Sequence, residues 1–278
     1  MKICLLNYLH VLIQQHILLK KGNYLAPQYS TYNMADMLVG ITEYPNPIET
    51  GVWHSHERSL ISFVLKGKNL ESRTCKQISR TPGHISFYHI GEPHQNIYIK
   101  FPSKHISIEF ENSFYSRYDL TEEGIYSAIN KSPDGVFLFT KILKEIVIDD
   151  QVSQSSIEMM LLDLVHTSFK TKDISGGWIV KINEILCDKW NEQVSLAELA
   201  RETHIHPVTI SKHFRQYFSC TFGEYTRKLK VEKAMTLIKS SKSSLTDIAY
   251  LCGFADQSHF TRIFKQQTGF LPKEYQKL

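Results

Sequence analysis

Residues 244–275 read SLTDIAYLCGFADQSHFTRIFKQQTGFLPKEY, and residues 195–225 read SLAELARETHIHPVTISKHFRQYFSCTFGEY. The two stretches are one pattern written twice. At a shift of 49 residues, Ser195, Leu196, Leu199 and Ala200 fall on Ser244, Leu245, Ile248 and Ala249. One extra residue in the second turn makes the shift 50, which pairs Phe214 with Phe264, Gln216 with Gln266 and Glu224-Tyr225 with Glu274-Tyr275. Internal similarity at a fixed period marks a duplicated structural unit.

Each copy has a physical reading. Ser195 with Glu198, and Ser244 with Asp247, fit the box in which a hydroxyl and a carboxylate satisfy orphan amides of a first helical turn. A short amphipathic helix follows, carrying Leu196, Leu199 and Ala200, or Leu245, Ile248 and Ala249. A tight turn comes next, Thr203–His206 or Cys252–Asp256. A second helix then buries Ile210, Phe214 and Tyr217, or Phe260, Ile263 and Phe264. Two short helices crossing over such a turn form a helix-turn-helix, whose second helix enters the DNA major groove. The expected motifs span 196–218 and 245–267. A helix from about Phe222 to Lys239 joins them, long enough at about 1.5 Å per residue to present both to successive grooves.

The charge distribution agrees. Residues 177–278 hold 15 Lys+Arg against 10 Asp+Glu, whereas the preceding 176 hold 17 against 18. The basic excess lies on the segment expected to meet phosphate. Facing leaves Val208, Thr209, Ser211, Lys212 and Arg215 outward on the first recognition helix. On the second it leaves Gln257, Ser258, Thr261, Arg262 and Lys265. Arg262 suits guanine, Gln257 suits adenine and Val208 suits a thymine methyl. Arg215, Arg227, Lys230 and Lys265 suit phosphates.

The pattern IAYLCGFADQSHFTRIFKQQTGFLPKEY resembles the signature of the AraC/XylS transcription regulators, and the resemblance runs from about Trp178 to Tyr275. It implies that Val208, Ser211, Lys212, Gln257, Thr261 and Arg262 approach bases. This chain departs from the pattern at His204 and Ser219, where glycines are usual, and at Gln276, where an arginine often stands. Among non-glycine residues, histidine tolerates positive φ comparatively well, so the first turn is expected to form.

Residues 36–111 differ in kind. Short apolar or alternating runs at Met37–Thr42, Leu60–Leu65, His84–Tyr88, Asn96–Ile99 and His105–Phe110 are broken by Gly and Pro, including Gly67, Pro82-Gly83 and Pro102. That rhythm predicts a β-barrel or jelly roll. GVWHSHERSLISFVLKG and TPGHISFYHIGEPHQN resemble the two cupin motifs, through Gly51, His54, His56 and Gly67, and through Pro82-Gly83 and His94. The resemblance implies a barrel used as a sensor. The expected wall positions for a small-molecule effector are Trp53, His54, His56, Phe87, His89 and His94. No metal and no other cofactor is assigned, because the glutamate expected shortly after the paired histidines is missing and Glu57 would face away. The alternative is a cupin-type metal-binding enzyme or metal sensor using His54, His56 and His94.

Helical periodicity returns at Phe137–Ile148 and Ser155–Phe169, and the family resemblance implies that this region, 112–170, mediates pairing. Residues 171–177 read as a flexible linker, and Trp178–Trp190 opens the DNA-binding domain. Residues 1–35 are set apart as an extension, with Met1 and Met34 both open as the translation start.

The 278 residues are 42% hydrophobic, enough for two cores. The five cysteines form no CxxC pair, which suggests reduced thiols and a cytoplasmic protein. Asn7, His10, Gln14, Gln15 and His16 interrupt the apolar start, so it does not span a membrane. No phosphate loop, catalytic Ser–His arrangement or HExxH motif is present, which argues against an enzyme. The expected fold is therefore α+β and multidomain: a cupin-like barrel with flanking helices, then an all-α domain with two helix-turn-helix motifs joined by a long helix. The expected function is a ligand-responsive transcription regulator, an activator, with double-stranded DNA, a small-molecule effector, RNA polymerase and a second copy of itself as partners.

Overall fold

The computed structural model describes residues 16–47, 51–132, 134–170 and 177–278. All of the expected linker except Gly177 lies outside these residues, as do the first fifteen. The chain divides into two compact units, residues 1–126 and 127–278.

The first unit is built on one eight-stranded sheet: β1 (Ile17–Leu19), β2 (Gln28–Met34), β3 (Met37–Tyr44), β4 (His54–His56), β5 (Leu60–Arg73), β6 (Gln77–Arg80), β7 (Ile85–Tyr88) and β8 (His94–Phe110). The long β8 organises it. Its carboxyl half pairs with β3, from Met37↔Phe110 to Tyr44↔Ser103, while its other edge pairs with β5, beginning at Leu60↔Glu109. The apolar run Leu60–Leu65 is buried throughout because β5 is covered on both faces there.

Among the described residues no ladder joins the outer strands, so the expected barrel is a curled sheet. The two runs expected at Asn96–Ile99 and His105–Phe110 are one strand that continues through Pro102. Pro102 lies opposite an irregularity in β5, where the register shifts on both sides of Gly67 and no ladder amide is required. Gly67 takes φ +89°, and a Cβ there would lie 2.6 Å from the Ser103 side chain.

Residues 1–35 are not simply an extension, since β1 pairs with β4 and β2 with β3. A chain begun at Met34 would lack both strands. Polar β2 (QYSTYNM) shows no apolar alternation because its side chains are mostly exposed, so its strand character comes from pairing alone. Helices α1 (Asn112–Tyr118) and α2 (Glu122–Lys131) follow, the latter crossing the division between units.

The second unit contains α3 (Gly135–Ile148), α4 (Ser153–Lys170), α5 (Gly177–Asp188), α6 (Leu196–Thr203), α7 (Pro207–Phe218), α8 (Phe222–Ser240), α9 (Leu245–Leu251), α10 (Gln257–Thr268) and α11 (Pro272–Lys277). The expected separation of 112–170 from the DNA-binding helices does not hold beyond residue 126. Helix α3 packs on both α4 and α10. Asp134 pairs with Lys228 at 2.5 Å, and the Lys144 ammonium lies 4.8 Å from the centre of the Phe270 ring. Periodicity showed that α3 buries one face but could not say against what.

One core joins Ile179, Ile182 and Leu186 of α5 to Leu199, Ile210, Phe214 and Phe218. Each buried side chain of this size contributes roughly 1.5–3 kcal/mol. Phe218 is the larger anchor, whereas Tyr217 is only half-buried and packs edge-on to Trp178. In the second copy Phe254, Phe260, Phe264 and Tyr275 form a chain of ring contacts at 5.2–5.6 Å.

Among the described residues Cys187, Cys220 and Cys252 are free, the first exposed and the other two buried. Cys75 is disulfide-bonded, so the expectation of five reduced cysteines fails there. Among the described residues no helix is long and apolar enough to cross a membrane.

Candidate functional site

Two short helices make each reading head, and local chemistry fixes where they start and stop. Ser195 accepts from the Glu198 amide at 3.1 Å, and Ser244 from the Asp247 amide at 3.1 Å. Asp247 completes a reciprocal box with Ser244. Glu198 does not, because its carboxylate is held by Lys189 at 2.5 Å. The turns are equivalent in backbone: His204 takes φ +58° where the second copy has Gly253 at +68°. Ser219 at +56° likewise stands where Gly269 takes +80°. The two departures at usual glycines, His204 and Ser219, therefore occupy left-handed positions that favour glycine.

Pro207 opens α7 with no orphan amide of its own, behind His206, whose Nδ1 accepts from the Val208 amide. Asp256 caps α10 by accepting from the His259 amide at 2.7 Å. Ile210, Phe214, Phe260, Ile263 and Phe264 turn inward and are buried. Val208, Thr209, Ser211, Lys212 and Arg215 are exposed on α7, as are Gln257, Ser258, Arg262 and Lys265 on α10. Thr261 is half-buried and Arg227 exposed. The Gln257 side-chain oxygen already accepts from the Thr246 hydroxyl at 2.7 Å, which orients its amide.

Lys230 is used differently from the phosphate contact expected of it. Its ammonium donates to the Gly253 carbonyl at 2.9 Å, and burial lowers its pKa.

Helix α8 carries both heads. Its 19 residues span about 28 Å at 1.5 Å per residue, comparable to one turn of duplex. Thr221 and Glu224 form a full capping box at its start. Tyr225 fastens it to α5 by donating to Asn183 at 2.7 Å.

The first unit holds a partly open cavity of about 430 Å³ against the inner face of its sheet. His54, His56 and His94 line it as expected. Trp53, Phe87 and His89 do not. Strand alternation explains the last two: Tyr88 points into the cavity, so its neighbours face the other way, where Phe87 and His89 lie tilted against the Tyr126 ring. Trp53 precedes His54 and is excluded by the same alternation.

The wall also contains Arg80, Tyr88, Tyr98 and His105, which sequence reasoning missed. Tyr98 was within reach, being four residues along β8 from His94 and so on the same face. Arg80 was not, since its approach depends on β6 pairing with β5. Its guanidinium is 1% exposed and donates to Tyr88 at 3.0 Å and to the Ser62 hydroxyl at 3.0 Å. Buried Glu71 is the counter-ion. Burial alone would raise its pKa, but Arg80 and Arg73 together outweigh burial and hold the carboxyl below its ordinary value.

The three histidines meet by register. His54 and His56 are two apart on β4, and His94 is directly opposite His54 on β8. One ring nitrogen from each lies within 4.8 Å of the others. His54 and His94 turn Nδ1 to the carbonyls of Val52 and Glu92, at 2.9 and 3.0 Å. Burial holds all three below the ordinary imidazole pKa, His56 down to about 3, so each is neutral near pH 7. Three neutral imidazoles fit a borderline transition metal. Glu57 adds no fourth ligand, being exposed and accepting from the Lys21 amide.

A family model described as a helix-turn-helix domain matches residues 199–278. The HTH-type transcriptional activator RhaS of Enterobacter sp. (strain 638) is 29% identical over 119 residues, 42% of this chain and 42% of that protein. The probable transcriptional regulator LumQ of Photobacterium leiognathi is 26% identical over 231 residues, 81% of this chain and 91% of that protein. The solved structure of unsaturated fatty acid bound wild-type ToxT from Vibrio cholerae strain SCE256 aligns over 88% of this chain and 96% of its own, at 16% identity and a TM-score of 0.37. The match to RhaS spans less than half the length of that relative. Residues 199–278 thus carry a helix-turn-helix domain of the AraC type, similar to that of the activator RhaS.

Proposed function

We propose that the protein is a sequence-specific DNA-binding transcription regulator whose two reading heads engage successive major grooves on one side of a duplex. The observation that carries this reading is the pairing of two capped helices, α7 and α10, on one 19-residue rod, each with its apolar side buried and its polar side exposed. Val208, Thr209, Ser211, Lys212, Gln257, Ser258, Thr261 and Arg262 face bases; Arg215, Arg227 and Lys265 face phosphates. Lys230 holds the second turn in place rather than meeting a phosphate. The cavity in the first unit takes a small-molecule effector, in keeping with its volume and with a lining that mixes apolar and aromatic side chains with histidines and Arg80. The working form is a homodimer in the cytoplasm that contacts RNA polymerase and activates transcription, as the names of the RhaS relatives suggest for this kind of domain.

The test is selection of bound duplexes from random oligonucleotides by the full-length protein. The expected outcome is enrichment of a site with two short blocks about one helical turn apart. Recovery of no enriched sequence, with the protein folded by circular dichroism, rejects the reading.

A further inference from the structure

We propose that Thr246 fixes Gln257 as a hydrogen-bond donor, so that the second reading head takes a base with acceptors at its edge, guanine above all, and rejects adenine. The inference rests on reading α10 as a recognition helix and names what one of its side chains selects.

Gln257 is the first residue of α10 and is exposed, at the end of the helix that meets base edges. An unconstrained glutamine amide has a donor end and an acceptor end, and it offers both to adenine, whose N6 donates while N7 accepts. Here the acceptor end is turned back. The Thr246 hydroxyl of α9 donates to Gln257 Oε1 at 2.7 Å. Thr246 is the second residue of α9, so no helical turn precedes it to offer its hydroxyl a carbonyl. Its proton goes to Gln257 instead, and the amide turns Nε2 away from α9. With N–H donors outward, Gln257 matches the N7 and O6 acceptors of guanine and meets the N6 donor of adenine as a like group.

Both ends of this bond stand on turns fixed by their caps. Ser244 and Asp247 close a reciprocal box around the turn that holds Thr246. Asp256 caps the turn that holds Gln257, accepting from the His259 amide at 2.7 Å. The two helices are held by buried Ile248 and Ala249 of α9 and buried Phe260 and Phe264 of α10. In the turn between them the Phe254 amide donates to the Ala249 carbonyl at 3.0 Å. The first head has neither partner: the duplication puts Ala197 in the place of Thr246 and Pro207 in that of Gln257. The pair therefore belongs to the second head alone and distinguishes the two blocks of a site.

The experiment uses the full-length protein and a site selected from random duplexes. The site is rebuilt with each base pair in turn at every position, and gel-shift titration gives the relative affinities. Gln257→Ala marks the position that Gln257 reads by abolishing the preference there alone. The wild type should favour guanine over adenine at that position by roughly fivefold or more. Thr246→Val, which keeps the shape and removes the hydroxyl, should collapse that ratio towards unity, whereas Thr246→Ser should keep it. Preferences at the other positions stay as they are, which a general loss of structure would not allow. Circular dichroism checks folding, and Thr246→Ala replaces the valine variant if that one does not fold. A wild-type preference for adenine at the marked position, no position lost in folded Gln257→Ala, or an unchanged ratio in the hydroxyl-free variant overturns the proposal. A wild type that selects no site rejects the regulator reading as well; one that selects a site and gives any of those three results rejects this proposal alone.

Discussion

The Lys230 ammonium, at the middle of the connecting helix α8, donates to the Gly253 carbonyl in the turn of the second reading head at 2.9 Å. A Cβ on Gly253 would lie 2.9 Å from that same nitrogen and 2.4 Å from the Asn191 carbonyl oxygen of the loop after α5. The second turn is thus wedged between the rod that carries it and the loop joining α5 to α6. The orientation of α10 depends on that wedge.

Replacing Gly253 with Ala should destabilise the second unit by about 2 kcal/mol or more, because φ +68° disfavours a side chain and the Asn191 carbonyl cannot move freely. Lys230→Met should cost about 1 kcal/mol through the lost hydrogen bond. Chemical denaturation of the full-length protein measures both. A neutral effect of Gly253→Ala would contradict the close approach.

His204 offers the opposite case. It occupies the left-handed region at φ +58°, is exposed, and corresponds to Gly253 in the other copy. His204→Gly should therefore raise stability by about 0.5–1 kcal/mol. A lower denaturation midpoint in that variant would show that the imidazole has a stabilising contact that outweighs the backbone strain.

Arg262→Ala should weaken binding to a selected site by about 1–3 kcal/mol and relax the preference at one base position. Arg215→Ala should weaken binding to all sequences alike and reduce the salt slope by about one. Gel-shift titrations at several ionic strengths separate the two effects. Equal losses on specific and random duplexes for Arg262→Ala would remove it from the base-reading set.

The first unit should lose stability in mild acid. Burial holds His105 well below the ordinary imidazole pKa of 6.5 and holds His84 at about 4. The native state therefore binds fewer protons than the unfolded chain between about pH 4 and 6.5. Stability is fully present above the unfolded pKa and declines as pH falls through that window. Thermal melts of the wild type from pH 7.5 to 4.5 should show a falling midpoint, with a shallower fall in His84→Gln. An unchanged slope in that variant would exclude His84 as a contributor.

The duplicated pattern was legible because each head is a local structure. Its caps at Ser195 and Ser244, its turn geometry and its 3.6-residue periodicity all lie within thirty neighbouring residues, and every inward residue named for α7 and α10 is at least half-buried. The histidine trio was half legible. His54 and His56 share a face by alternation, but His94 joins them only through a strand pairing forty residues away.

From sequence alone came the two helix-turn-helix units, the rod between them and the sheet-rich character of the first half, all set by short-range hydrophobic spacing and turn chemistry. Only the tertiary structure brought β1 and β2 into the sheet, grouped α3 with the DNA-binding helices, put Arg80 rather than Phe87 on the cavity wall and tied Lys230 to Gly253. Those outcomes depend on which distant surfaces pair, and pairing is decided by packing and register, which no local pattern contains.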